Sequence, residues 1–240
     1  FQISRRSFIR RTSAAAAATG LPLWFVEREL AAAEEPAKSV TSPNDRPSIA
    51  LIGCGGMGTG DAIDAQRFGD IVAVCDVDQQ HLDGAVKKFT KDGKTPAAFS
   101  DFRKLLERGD IHAVINGTPD HWHSLINIGA AKAKKDIYSE KPLTLTIDEG
   151  KHVVKAVREN KVVLQTGTQQ RSSQRFRMAC ELVRNGRIGK LKEVNVWLPA
   201  GLRGGPFQVQ PVPGHLNWDF WQGQAPFHDY VPERCHTTFR

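Results

Sequence analysis

Lys141 stands in "YSEKPLT" (Tyr138–Thr144), after the short apolar stretch "DIY" and directly before Pro142. A Glu-Lys pair ahead of a proline is either a solvated turn or a basic group held at the end of a β-strand. An ordinary lysine, with a pKa near about 10.4, is a poor base at neutral pH, and burial would bring it toward about 7–8. A close Glu140 carboxylate works the other way, so Glu140 is expected to turn aside into structure. Three residues do not decide between turn and site, and the other chemistry-bearing residues have to be placed first.

"GCGGMG" follows a β-rich run and precedes an amphipathic one. In it Gly53 permits a tight turn, Gly55 lets a diphosphate approach the backbone, and Gly58 lets the helix pack close to the strand. The helix start then offers free N–H groups and partial positive charge to phosphates. "IVAVCD" puts Asp76 at the end of the next strand, 18 residues after Gly58. A carboxylate there accepts from a ribose 2′-OH and repels a 2′-phosphate, which favours NAD over NADP. Asp78 has the plainer task of capping the helix that begins near Gln79. "NGTPDHWHS" (Asn116–Ser124) breaks a strand at Thr118-Pro119 and sets His121 and His123 where a helix starts. A histidine there often only packs; on a ligand-binding edge His123 is the stronger candidate for a catalytic role. "GTQQR" ends in Arg171, a candidate for holding a polar substrate or cofactor group.

These residues need elements to position them. Strands are expected at 48–53, 71–75, 112–116, 136–139 and 162–166, with helices at 59–68, 79–90, 101–108, 123–134 and 147–160. In the last, Val153, Val154 and Val157 fall at helical spacing with Lys and Glu opposite. Continuous apolar strands alternating with helices predict a parallel sheet covered on both faces, an α/β Rossmann doubly wound fold. Right-handed crossovers then open every strand-to-helix loop on one edge of the sheet, where ligands bind. On that edge lie the glycine loop with Gly56 and Met57, then Asp76, Thr118, Pro119, His121, Glu140 and Lys141, all candidate cofactor contacts.

The ends of the chain read differently. "SRRSFIR" (Ser4–Arg10), the Ala-rich run after it and the cluster Ala31–Ala33 have the order of an export signal with an A-x-A cleavage site. The twin arginine resembles the Tat signal, which implies export to the periplasm of an already folded protein. The run is too short and interrupted for a membrane span. Residues 34–47 read as a linker. Of the formal charge of +7, residues 1–33 contribute +3, five Arg against two Glu, and no Lys/Arg run follows, so nucleic acid is not an expected partner. The four cysteines have no C-x-x-C spacing and read as small buried apolar residues; no metal cluster is apparent.

"IALIGCGGMG", "AVCDVD", "TPDHWH", "YSEKPLT" and "GTQQR", in this order, resemble the Gfo/Idh/MocA oxidoreductases from about Ser48 to the end of the chain. The resemblance implies a NAD-binding domain at 48–170 and, from 171 to 240, the beginning of an α+β substrate and oligomerisation domain with an open β-sheet. It implies that Lys141 lies beside the nicotinamide and the substrate hydroxyl as the catalytic lysine, with a cis Lys141–Pro142 bond. The family's D-x-x-x-H pair does not occur after Thr168. A helix near 172–185 and a strand at 191–199 are all that is expected of the second domain, so the chain is read as a truncated piece. His215, Trp218 and Trp221 are candidates for the substrate cleft, with packing as their plainer role. The implied whole is an exported, homo-oligomeric oxidoreductase acting on a sugar, polyol or sugar derivative with tightly held NAD. Two other functions stay open: a NAD-dependent glycoside hydrolase using transient oxidation, and a non-catalytic nucleotide or sugar binder.

Overall fold

A computed structural model describes residues 46–198 and 205–236. The export signal read at 1–33 and nearly all of the linker read at 34–47 lie outside the described residues.

Six short strands form one parallel sheet: β1 (Ser48–Ile52), β2 (Asp70–Cys75), β3 (Ala97–Phe99), β4 (Ala113–Asn116), β5 (Asp136–Glu140) and β6 (Leu164–Gly167), in the order β3-β2-β1-β4-β5-β6. The chain reverses direction of growth between β1 and β4, and a parallel sheet with such a switch point opens a crevice there. Register aligns the strand ends: Ile52 pairs with both Cys75 and Asn116, and Asn116 pairs with Ser139. The residues that follow each strand therefore emerge side by side.

β1 shows why the fold is doubly wound. Its alternate residues Ile49 and Leu51 join a core with Ala62, Leu82, Ala85 and Phe89, which come from α1 (Gly56–Ala65) and α2 (Gln79–Phe89). Ala50 and Ile52 face the other core. There they meet Leu105, Ile126 and Ala156 from α3 (Phe102–Leu106), α4 (His123–Lys132) and α5 (Ile147–Asn160). Apolar residues on both faces are what a sheet covered on both sides requires. Helix ends carry local signals: Asp78 caps α2 through the backbone N–H groups of Gln80 and His81, and Thr146 caps α5 through Glu149 N–H. Val154 is the exception to the predicted apolar face of α5 and is exposed.

The switch point is packed at backbone distance. Gly53 has φ +87°, and a Cβ on Gly58 would lie 2.2 Å from Gly53 O. A Cβ on Gly117, at the end of β4, would lie 2.5 Å from Gly58 Cα. No rotamer relieves a clash with backbone, so only glycine lets these three segments meet.

Beyond β6 the expectations diverge. Helix α6 (Gln174–Arg184) forms as predicted, but among the described residues 191–198 carry no strand. Val194, Val196, Trp197 and Leu198 are exposed there, and a strand exists only when a neighbour pairs with its backbone. Cys180, on α6, is exposed, whereas Cys54, Cys75 and Cys235 are buried free thiols as expected. β3 was not expected; three residues are too few for a periodic signal. No helix among the described residues is long and apolar enough to cross a membrane.

Substituting Gly58→Ala is expected to lower the thermal midpoint by about 5 °C or more through this backbone clash, while Gly56→Ala, where an added Cβ meets open space, leaves it nearly unchanged. Calorimetry on the two variants checks the pair.

Candidate active site

At the edge where the strands end, a cleft of about 430 Å³ opens between the glycine loop, the loops after β2, β4 and β5, and the segment around Trp221. Gly53, Gly55, Gly56 and Met57 line it from the first loop, and Asp76 from the second. Thr118, Pro119 and His123 line it from the third, Glu140 and Lys141 from the fourth. Gly58 lies behind this surface, in the backbone contact just described.

Helix α1 starts at Gly56 after Gly55, which makes no side-chain cap. The first amide groups of such a helix have no intrahelical acceptor and carry the positive end of its dipole. Asp76 ties this loop to the next: Oδ2 accepts from Cys54 N–H at 2.7 Å and Oδ1 from Asp78 N–H at 2.9 Å. Each carboxylate oxygen keeps a second lone pair, which is what hydroxyl recognition needs. Burial pushes the Asp76 carboxyl up, opposed by those two N–H donors and by His81.

The third and fourth loops are held by buried polar groups. Asn116 Nδ2 donates to Asn127 Oδ1, and Asn127 Nδ2 donates to Ser139 Oγ, both at 2.9 Å. Thr118 Oγ1 donates to Asn116 Oδ1 at 2.7 Å. Together these join the ends of β4 and β5 through α4. His123, 1% exposed, sets Nε2 2.8 Å from Thr118 O and Nδ1 2.6 Å from Pro142 O. Both ring nitrogens lie against backbone carbonyls, which only accept, so a neutral ring donates to one of the two, and neither nitrogen is directed at a reacting group. This geometry gives His123 a strut's place between the two loops rather than the catalytic one expected of it.

Lys141 follows β5, and the Lys141–Pro142 bond is cis as the resemblance implied. Its side chain lines the cleft yet is 44% exposed, less covered than the expectation of a buried lysine required, because the turn carries it past the end of the strand. Glu140 is buried, and its Oε2 lies 3.9 Å from Lys141 Nζ and accepts from Lys141 N–H at 3.2 Å. It does turn into structure, beneath Gly167, without leaving the lysine's reach. Asp61 of α1 completes this corner. Its Oδ2 is buried without a hydrogen-bond partner, and burial, with Glu140 and Asp64 nearby, pushes its pKa up to about 6 against the opposing pull of Lys141.

Other candidates fall elsewhere. His121 Nε2 lies 2.7 Å from Trp221 O, and burial holds its pKa below the usual imidazole value; it braces the wall of the cleft. Arg171 is in the exposed turn Gln169–Ser172, outside the lining. His215 does not line the cleft; its carbonyl accepts from Gln79 N–H. Trp218 stacks on Trp221 at 4.8 Å and donates from Nε1 to His228 O, a packing role, whereas Trp221 itself lines the cleft. Sequence reasoning missed Phe102, Trp122 and Phe220, which meet edge to face or stacked and form an aromatic wall. Trp122 had a signal, lying between the two singled-out histidines; Phe102 opens the helix expected at 101–108, but its meeting with Trp122 and Phe220 is a contact between distant residues. His81 and His236 were also missed, and folding gathers them with Asp78.

A doubly wound sheet with a glycine loop, a carboxylate after β2 and a lysine after β5 in one cleft defines a Rossmann-type dinucleotide-binding domain. The chain belongs to the Gfo/Idh/MocA oxidoreductase family: the profile described as oxidoreductase family, NAD-binding Rossmann fold, matches residues 48–168, and that of the C-terminal alpha/beta domain matches 199–240. Myo-inositol 2-dehydrogenase of Thermotoga maritima is 31% identical over 144 residues, 59% of this chain and 42% of that protein. A glycosyl hydrolase family 109 protein of Shewanella pealeana is 29% identical over 206 residues, 79% of this chain and 44% of that one. The crystal structure of scyllo-inositol dehydrogenase from Lactobacillus casei with bound NAD(H) and scyllo-inositol superposes with a TM-score of 0.54 at 28% identity, covering 60% of this chain and 42% of that one. The chain thus spans less than half the length of these relatives.

Because the native state binds the Asp61 proton more tightly, at a pKa of about 6 against 3.8, stability falls as pH rises through that window. Asp61→Asn removes the charge, so the variant is expected to melt above the native chain at pH 8 and to lose that advantage at pH 4. Melting curves at the two pH values decide it.

Proposed function

We propose that the protein is a NAD-dependent oxidoreductase that moves a hydride between the nicotinamide cofactor and a CH–OH group of a sugar, polyol or sugar derivative, with Lys141 exchanging the hydroxyl proton. The observation that carries this reading is that Lys141 shares one cleft with the glycine loop and Asp76. The names of the inositol dehydrogenases among its relatives support the substrate class.

The residues present fit the cofactor. The amide groups at the start of α1 suit its diphosphate, and the close backbone contact of Gly53, Gly58 and Gly117 keeps that loop in place. Asp76 suits the adenosine ribose and, by its charge, favours NAD over NADP. Thr118, Pro119 and Glu140 would border the nicotinamide end. The bound cofactor supplies the hydride acceptor. Only as the neutral amine would Lys141 Nζ accept the proton of the substrate hydroxyl as its carbon is oxidised, and the resulting ammonium would return it in the reverse direction. His123 positions Lys141 indirectly, by holding Pro142 O against the Thr118 loop. Arg171 and His215 receive no role in this scheme.

Lys141→Ala is expected to lower kcat by about 100-fold or more while NAD affinity, read by fluorescence titration, stays within a few-fold. Unchanged turnover would point instead to a non-catalytic binder.

A second reading draws on the family 109 relative, which aligns over most of this chain. A glycoside hydrolase working by transient oxidation would use the same lysine and cofactor, but it would release sugar with no net NADH. Assaying aryl glycosides with and without monitoring of NADH separates the two.

The twin-arginine segment supports export of the folded protein to the periplasm. A cofactor loaded before export has to stay bound and be regenerated by a second substrate, which means ping-pong turnover. Replacing Arg5 and Arg6 by lysine is expected to hold the protein in the cytoplasm. Mass spectrometry of protein recovered from the envelope is expected to find one nucleotide per chain; finding none, with activity dependent on added NAD, would end the ping-pong scheme.

A further inference from the structure

At the adenosine end of the cleft three side chains from distant parts of the sequence converge. Asp78 is 2% exposed and divides its carboxylate. Oδ1 caps α2 by accepting from Gln80 and His81 N–H, while Oδ2 lies 3.1 Å from His236 Nε2. The imidazoles of His81 and His236 face each other with ring centroids 4.5 Å apart. One donor atom from each of the three lies within 4.8 Å of the other two. His81 Nδ1 is turned toward Asp76 Oδ2, at 3.8 Å, which leaves Nε2 as the nitrogen to offer.

We propose that Asp78, His81 and His236 form a binding site for a divalent metal ion of the zinc class. Two imidazoles and one carboxylate are a borderline donor set of the kind that takes zinc. Zinc bonds of about 2.0–2.2 Å place ligand atoms about 3.3 Å apart, so the existing spacing closes with small rotations of two half-buried rings. A metal-bound histidine commonly hands its other ring nitrogen to a carboxylate, and Asp76 stands in that position beside His81. The capping bonds from α2 fix Asp78 independently of any ion, so one ligand is preset.

The site has a structural consequence. His236 belongs to the segment that already pairs with the loop after β2, where Gln79 N–H donates to His215 O and Asn217 N–H donates to Val77 O. An ion on Asp78, His81 and His236 would clip that segment to the head of α2. It would thereby close the cleft beside Asp76, whatever reaction the cleft serves.

Titrating Zn²⁺ alone into the purified, chelator-treated chain tests this by calorimetry. One ion per chain is expected to bind. His81→Ala and His236→Ala are each expected to weaken binding by about 100-fold or more. Asp78→Asn, which keeps the capping oxygen, weakens it while far-UV circular dichroism stays native. The exposed pair His152 and Asp148 is the control, since it too sets an imidazole by a carboxylate. No saturable binding overturns the proposal, and so does binding that survives His81→Ala with His236→Ala or disappears in His152→Ala.

Discussion

The cleft depends on how the ends of two neighbouring parallel strands are tied together. β4 and β5 finish in register, but the loops after them, with Thr118-Pro119 on one and Lys141-Pro142 on the other, have no ladder to hold them. Buried polar side chains take over: Asn116, Asn127 and Ser139 link the strand ends, and His123 reaches a carbonyl on each loop. In a low-dielectric interior such a network is strong when complete and costly when broken, since every orphaned partner loses its bond and keeps its desolvation. It therefore sets the position of Lys141 more firmly than the lysine's own contacts do.

The glycine knot at the switch point plays the complementary part on the other side of the crevice. Backbone meets backbone at Gly53, Gly58 and Gly117, which brings the start of α1 against the end of β4. Polar loop positioning on one side and glycine contact on the other leave a space framed by rigid elements. Function on such a scaffold is decided by the few side chains that enter the space.

The charges in that space are arranged with tension. Asp61, Glu140 and Lys141 crowd one corner, with Asp61 pushed up to about 6 by burial and by its carboxylate neighbours. Asp76 is partly buried at the other end, satisfied by backbone donors from two loops.

The alternation of apolar strands and amphipathic helices, the glycine spacing and the cap at Asp78 were legible in the linear order because each is a local pattern, set by side-chain period or by a hydrogen bond within one turn. The strand ends that carry Gly53, Asp76, Thr118 and Lys141 followed from them, since right-handed parallel crossovers leave a single edge for all the loops. What the linear order did not hold were contacts between residues far apart in it. The placing of His123 between two backbone carbonyls, the packing of Trp218 against Trp221, the absence of a strand at 191–198 among the described residues, and the gathering of Asp78, His81 and His236 all arise only on folding. No spacing rule encodes them, because each depends on which surfaces meet and which backbone groups find a partner.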